Sequence, residues 1–230
     1  DPYRSLTLSV LPNGRRDRAK MNLQPDFVGN GRIEFNTLSD KTLFAGGNES
    51  RSFDIKTIRQ KRENVRAIEF LNGNYHVFLL PSEDRQFKPY FSADDFNGRF
   101  FIAMEESKEA DRDADYAWVY FTLPADYEAQ GGSVYVAGAF TDWTYTSSNR
   151  MRYNPAGRCY EATLLLKQGW YNFEYAFVPD GSEIPAGFRF EGSHYETEND
   201  YLMLTYFRDP RQRYDRLTDA TVVNTSSLIR

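Results

Sequence analysis

Few residues in this chain have the types and spacing that catalysis needs. Nucleophilic or general-base chemistry needs a base, a partner to orient it and a reacting group within reach. The sequence has two histidines, His76 and His194, set in different halves. No Gly-x-Ser-x-Gly elbow, phosphate loop or Gly-x-Gly-x-x-Gly turn occurs. The lone cysteine, Cys159, sits in the strand-like run Arg158-Cys159-Tyr160-Glu161-Ala162-Thr163-Leu164 and reads as a small buried hydrophobe. His76 falls within a strand pattern and reads as a packed imidazole. Asp111-x-Asp113-x-Asp115 offers hard oxygens at alternating positions, as the start of a calcium loop does. Tyr116 stands where that loop needs glycine, and Leu123 lies near its closing position, so the stretch reads as a solvated linker. Asp94 and Asp95 are adjacent and have no identifiable partner carboxylate. The run 191–200 gathers His194, Tyr195, Glu196 and Asn199, which could present a ligand or partner site. The competing reading is a loop whose polar side chains bond its own backbone. No catalytic residue, metal ligand or cofactor is expected.

Composition narrows the class. Aromatic residues make up 16% of the 230, with 16 Tyr, 18 Phe and 3 Trp, and such rings suit strands and half-buried sheet faces. A net charge of −5 argues against nucleic-acid binding and against adhesion to an anionic membrane surface. A single cysteine allows no intrachain disulfide. No apolar stretch is long enough to span a bilayer, so direct membrane insertion is not expected. The chain opens at Asp1-Pro2-Tyr3 with no initiator Met or signal peptide, and reads as a processed or truncated piece.

Short alternating runs recur, and helical periodicity is nearly absent. Strands are expected at 5–11, 32–35, 52–58, 64–70, 75–80 and 99–104. More are expected at 116–123, 133–138, 160–166, 170–178 and 201–207. The tail from Arg208 reads as polar, with an edge strand at Thr221-Val222-Val223. Asn72-Gly73 is a hairpin turn signal. Residues 105–115 carry six acids and nothing apolar larger than Ala, and read as an exposed linker or hairpin tip. The expectation is an all-β protein of two immunoglobulin-like β-sandwich domains. One covers 1–107, lacking its opening strands, and an early-set domain with a polar tail covers 108–230.

Two resemblances add to this. Val134-Tyr135-Val136-Ala137-Gly138-Ala139-Phe140-Thr141-Asp142-Trp143, then 160–166, Gly169-Trp170-Tyr171-Asn172-Phe173-Glu174-Tyr175 and Val178-Pro179-Asp180-Gly181, resemble a glycogen-binding-type early-set module. That likeness implies that Trp143, with Tyr145 or Trp170, could stack on a sugar. Glu174 stands where the family has its sugar-contacting Lys, and Ser182-Glu183-Ile184 replaces the region of its second Trp. The alternative reading of Trp143 is a plug at the sandwich end.

The second resemblance covers about residues 1–224. It runs through Phe44-Ala45-Gly46-Gly47-Asn48-Glu49, Phe53-Asp54-Ile55-Lys56, Tyr75-His76-Val77, Phe87-Lys88-Pro89-Tyr90 and Asp95-Phe96-Asn97-Gly98-Arg99-Phe100. It continues through Ala114-Asp115-Tyr116, Phe121-Thr122-Leu123-Pro124, Thr141-Asp142-Trp143, Leu164-Leu165-Leu166-Lys167-Gln168-Gly169, 192–201 and Arg213-Tyr214-Asp215-Arg216-Leu217. In this order these residues resemble the C-terminal part of the type IX secretion system plug proteins of Bacteroidetes. The resemblance implies a non-catalytic periplasmic protein, associated with the outer membrane, whose partner is a large translocon barrel. The alternative is a carbohydrate-binding module of a cell-envelope glycan system.

Overall fold

The computed structural model of the protein describes residues 5–35, 42–93, 95–186 and 189–227. Among these the chain is all-β, as the alternation implies. In order the strands are β1 (Leu6–Pro12), β2 (Lys20–Leu23), β3 (Phe27–Gly29), β4 (Arg32–Glu34), β5 (Arg51–Asp54), β6 (Val65–Leu71), β7 (Asn74–Leu79) and β8 (Phe100–Ile102). A single helical turn, α1 (Ala110–Asp113), follows. Then come β9 (Tyr116–Pro124), β10 (Gly132–Ala137), β11 (Arg152–Asn154), β12 (Cys159–Lys167), β13 (Gly169–Pro179), β14 (Asp200–Phe207) and β15 (Arg216–Asn224).

The contacts divide the chain into two compact units, one of Asp1–Gly46 with Tyr195–Arg230 and one of Gly47–His194. The second is a sandwich. One layer has the order β11-β12-β9-β7-β6, in which β7 and β9 run parallel and the other pairs antiparallel. The other layer centres on β13, which pairs β10 through 174–179, β5 through 170–173 and β8 through 169–171. The strand period of two decides what the core receives. On β9, Ala117, Val119, Phe121 and Leu123 are buried, while Trp118, Tyr120 and Thr122 are half-buried on the other face. On β12, Tyr160, Ala162, Leu164 and Leu166 alternate inward in the same way. Phe53 of β5 is fully buried, stacked on Tyr171 at 5.0 Å and edge-on to Phe121 at 5.6 Å. Each such side chain contributes about 1.5–3 kcal/mol by leaving water.

The 107/108 boundary expected from composition is not where the units divide. β7 and β9, one from each side of it, lie in register with Val77 opposite Val119. The acid-rich stretch is exposed, as its composition requires, but both its ends are tied into one sandwich. Glu105 N donates to Lys56 O at 3.0 Å, and Gln168 N donates to Asp115 O at 2.9 Å. The fully buried Gln168 side chain adds two more ties, accepting from Asp115 N at 2.9 Å and donating to Lys56 O at 3.1 Å.

The other unit joins the two ends of the chain. Its sheet has the order β15-β14-β1-β2, with β1 and β14 paired from Leu6 opposite Phe207 to Pro12 opposite Tyr201. β3 and β4 form a separate hairpin. The expected edge strand at 221–223 extends back to Arg216 and is indeed outermost.

Candidate docking surface

A polar cluster in the sandwich unit surrounds Glu191, whose side chain is 5% exposed. A carboxylate that dry needs cationic partners and several donors. β5 supplies Arg51, whose Nε donates to Glu191 Oε1 at 2.9 Å. The β7–β8 connection supplies Arg85, whose Nε donates to Glu191 Oε2 at 2.9 Å. β13 supplies the Tyr175 backbone N–H, which donates to Oε1 at 2.8 Å. Burial alone would lower the Arg51 pKa. The charge of Glu191 and its hydrogen bond outweigh that, and the guanidinium is held above its ordinary value. The same guanidinium lies 5.2 Å from the centre of the Tyr175 ring. Burial pushes the Tyr175 phenol up to about 12, against the opposing effects of its bond to Ser82 Oγ and of Arg51.

This cluster fixes the connection between β7 and β8. Arg85 N donates to Phe190 O at 2.9 Å, and an Arg85 Nη2 proton goes to Glu49 O at 2.8 Å. Arg51 Nη2 donates to Glu83 O at 2.7 Å, and Lys88 N closes a turn onto Arg85 O at 3.1 Å. Gly192 allows the approach. It sits at φ +74°, where a Cβ would be strained and would come within 2.9 Å of Arg85 O. Tyr90 donates its hydroxyl proton to the buried Glu49, and its ring lies 5.6 Å from that of His194. Between and beyond these anchors Phe87 and Phe91 face solvent, 92% and 79% exposed.

The residues singled out from sequence are dispersed. The Trp143 indole lies where a Cβ on Gly98 would sit, so the ring packs over that turn. Tyr145 packs edge-on to Tyr135 at 5.5 Å. Trp170 is buried, stacked on Phe101 at 5.8 Å and edge-on to Phe96 at 5.0 Å. His194 donates its backbone N–H to Gly47 O at 2.7 Å, and its Nε2 is buried without a hydrogen-bond partner among the described residues. Tyr195, Glu196 and Asn199 belong to the other compact unit. There Tyr195 and Glu196 are exposed, while Asn199 is buried and ties its own unit. Its Nδ2 donates to Gly46 O at 2.8 Å, and its Oδ1 accepts from Asn13 Nδ2 at 2.9 Å. His76 Nδ1 lies 2.8 Å from the Tyr120 hydroxyl. Cys159 is buried, and that burial, aided by Glu161, pushes its thiol up. Asp113 accepts from Ser107 Oγ at 2.7 Å, and Arg112 and that hydroxyl hold its carboxyl below the usual range. Among the described residues no group of three or more His, Cys, Asp or Glu could hold a metal ion. Asp94 lies outside the described residues. Asp95 accepts backbone protons from Ser50 and, at 2.8 Å, from Asn97.

Fold and site together define an all-β protein in which a buried ion cluster fixes an exposed aromatic loop. No protein-family model matches the chain, and no curated protein matches it. It is similar to a hypothetical protein from Parabacteroides merdae ATCC 43184, known from a crystal structure at 2.30 Å resolution. The two share 35% sequence identity and a TM-score of 0.91 over 97% of this chain and 56% of that one. This chain therefore spans little more than half the length of that protein.

Proposed function

We propose that the chain is a non-catalytic interaction protein of the periplasm that plugs a large outer-membrane translocon barrel of type IX secretion. The observation that carries this reading is the work done by the residues that resemble the plug family. Phe53 fills the sandwich core, and Asn48 Nδ2 donates to Glu191 O at 2.7 Å. Gln168 holds the two ends of the acidic stretch, and Asn199 ties Gly46. Gly98 makes room for Trp143. Each of these shapes the fold, which supports a resemblance of architecture. A rigid β-body that meets its partner through exposed loops suits a reversible seal.

The test is an affinity pull-down from the outer-membrane fraction with the full-length tagged protein. Recovery of one very large barrel protein is the expected result. Failure to recover a barrel, with retention on a glycan array that Trp143→Ala abolishes, would replace the plug by a glycan-binding module.

A further inference from the structure

We propose that Asn30 and Asn72 are sites of intramolecular deamidation, at which the chain converts its own hairpin tips to aspartyl and isoaspartyl residues. The proposal is independent of the interaction reading above. The sequence contains four Asn-Gly pairs, Asn13-Gly14, Asn30-Gly31, Asn72-Gly73 and Asn97-Gly98. In each of them both residues have positive φ. The pairs therefore share one local sequence and one backbone class, and differ in what surrounds them.

The reaction joins two atoms of the same turn. Hydroxide takes the proton from the glycine backbone nitrogen, and that nitrogen attacks the asparagine Cγ. The new N–C bond closes a succinimide ring as the bond from Cγ to Nδ2 breaks. Nδ2 leaves as ammonia with a proton taken from water, which restores the hydroxide. A further water then adds to either carbonyl of the ring. Opening at one carbonyl gives aspartate, and opening at the other gives isoaspartate. Glycine favours the attack because no side chain crowds its nitrogen. The asparagine side chain must swing onto its own backbone, so a turn held from outside reacts only when it opens.

Asn13 and Asn97 are held. Asn13 Nδ2 donates to Asn199 Oδ1 at 2.9 Å, and its Oδ1 accepts from Asp200 N at 2.8 Å. Gly14 N, the nucleophile of that pair, donates to Leu11 O at 3.3 Å. Gly98 is buried, with the Trp143 indole packed over it. Its turn is pinned on both sides, where Phe96 N donates to Asn172 Oδ1 at 2.7 Å and Ala139 N donates to Gly98 O at 2.9 Å. Asn30 and Asn72 are open. They stand at the tips of the β3–β4 and β6–β7 hairpins, and each is exposed together with its glycine. Among the described residues neither side-chain amide and neither glycine N–H makes a hydrogen bond. A Cβ on Gly31 or Gly73 would meet nothing within 4 Å. Reaction there changes the element that carries it. Each event adds a negative charge to the tip. The isoaspartyl product also adds a methylene to the main chain, so a two-residue turn no longer matches the twist of its strands.

The experiment incubates the purified full-length protein at mildly alkaline pH and follows each Asn-Gly pair over time by peptide mapping with mass spectrometry. Fragmentation distinguishes isoaspartate from aspartate. A parallel incubation in urea removes the fold and reads the rate that the local sequence alone gives. In the folded protein Asn30 and Asn72 are expected to lose their amides about tenfold faster or more than Asn13 and Asn97. Isoaspartate is expected at both, because direct hydrolysis of the side-chain amide gives aspartate only. In urea the rates at all the pairs are expected to converge. Equal rates at every pair in the folded protein would overturn the proposal. So would faster reaction at Asn13 or Asn97, loss of the amide without isoaspartate, or the same spread of rates in urea as in the fold.

Discussion

Glu191 shows what a single side chain carries in this molecule. Removing one member of a buried ion cluster strands the others without compensation, which costs about 3–5 kcal/mol. Glu191→Ala, which leaves Arg51 and Arg85 facing each other, is expected to lower stability by that amount, read as a fall in the urea midpoint. Lys88→Ala breaks a pair whose partners are both more than half exposed and is expected to change the midpoint little. Tyr175 sets a limit at the alkaline end. Its phenol holds its proton to about 12 in the fold, against an ordinary value near 10. The unfolded chain therefore releases that proton first, and stability falls as pH rises from 10 towards 12. A difference of that size between the folded and unfolded chain corresponds to about 3 kcal/mol. Tyr175→Phe is expected to flatten that alkaline slope, measured by denaturant unfolding at a series of pH values with tyrosinate absorbance as monitor. Neither role was legible in the sequence. Glu191 stood in a run of polar loop residues, and its cationic partners lie 106 and 140 positions away. Pairings at such separation leave no local pattern. Phe87 and Tyr90 stand among the residues that carry the plug-family resemblance, but exposure in a Pro-containing stretch cannot be read from alternation.

At the scale of elements, local rules did most of the work. Alternation located β9, β12, β13 and β14 to within about two residues, the usual uncertainty of element ends. It overran at β5, which stops at Asp54 because that carboxylate accepts the Lys56 N–H at 2.9 Å and turns the chain. It missed β2, β3 and β11, which are three or four residues long, too short to show a period. It also missed most of β15, where Thr218 and Asp219 break up the apolar positions. Two Asn-Gly turns allow a controlled test. Asn72-Gly73 and Asn97-Gly98 both have positive φ at each residue, and Gly73 and Gly98 lie at +80° and +79°. A Cβ at Gly73 meets nothing within 4 Å, whereas one at Gly98 meets the Trp143 indole. Gly73→Ala is expected to cost only the left-handed backbone strain, about 1–2 kcal/mol. Gly98→Ala adds overpacking of about 1–3 kcal/mol. If thermal unfolding shows the two variants equally destabilised, Trp143 does not pack on that turn.

At the scale of the whole chain, composition sets a break at 107/108, whereas the contacts divide the chain after Gly46 and after His194, for a physical reason. Composition reports solvent exposure, and residues 105–115 are exposed. It does not report which strands pair across an exposed connection, and β7 finds β9 beyond this one. The unit of Gly47–His194 is continuous in sequence, and every residue of the main buried core, from Phe53 to Phe190, belongs to it. The other unit is discontinuous, because its central pair joins β1 to β14 across most of the chain. A unit with its own core and a continuous stretch of chain can fold alone, whereas a unit whose central strands come from opposite ends must wait for both. The excised segment 47–194 is therefore expected to fold cooperatively, with its slowest amide exchange in β9, β12 and β13. Deleting residues after 194 is expected to leave that protection pattern unchanged while β1 loses its own, since β14 and then β15 stand on one side of it. Hydrogen exchange on the two truncations reads both outcomes. Loss of protection in β9 and β12 of the excised segment would mean that the sandwich needs the rest of the chain to fold, and that the division into two units describes contacts and not folding.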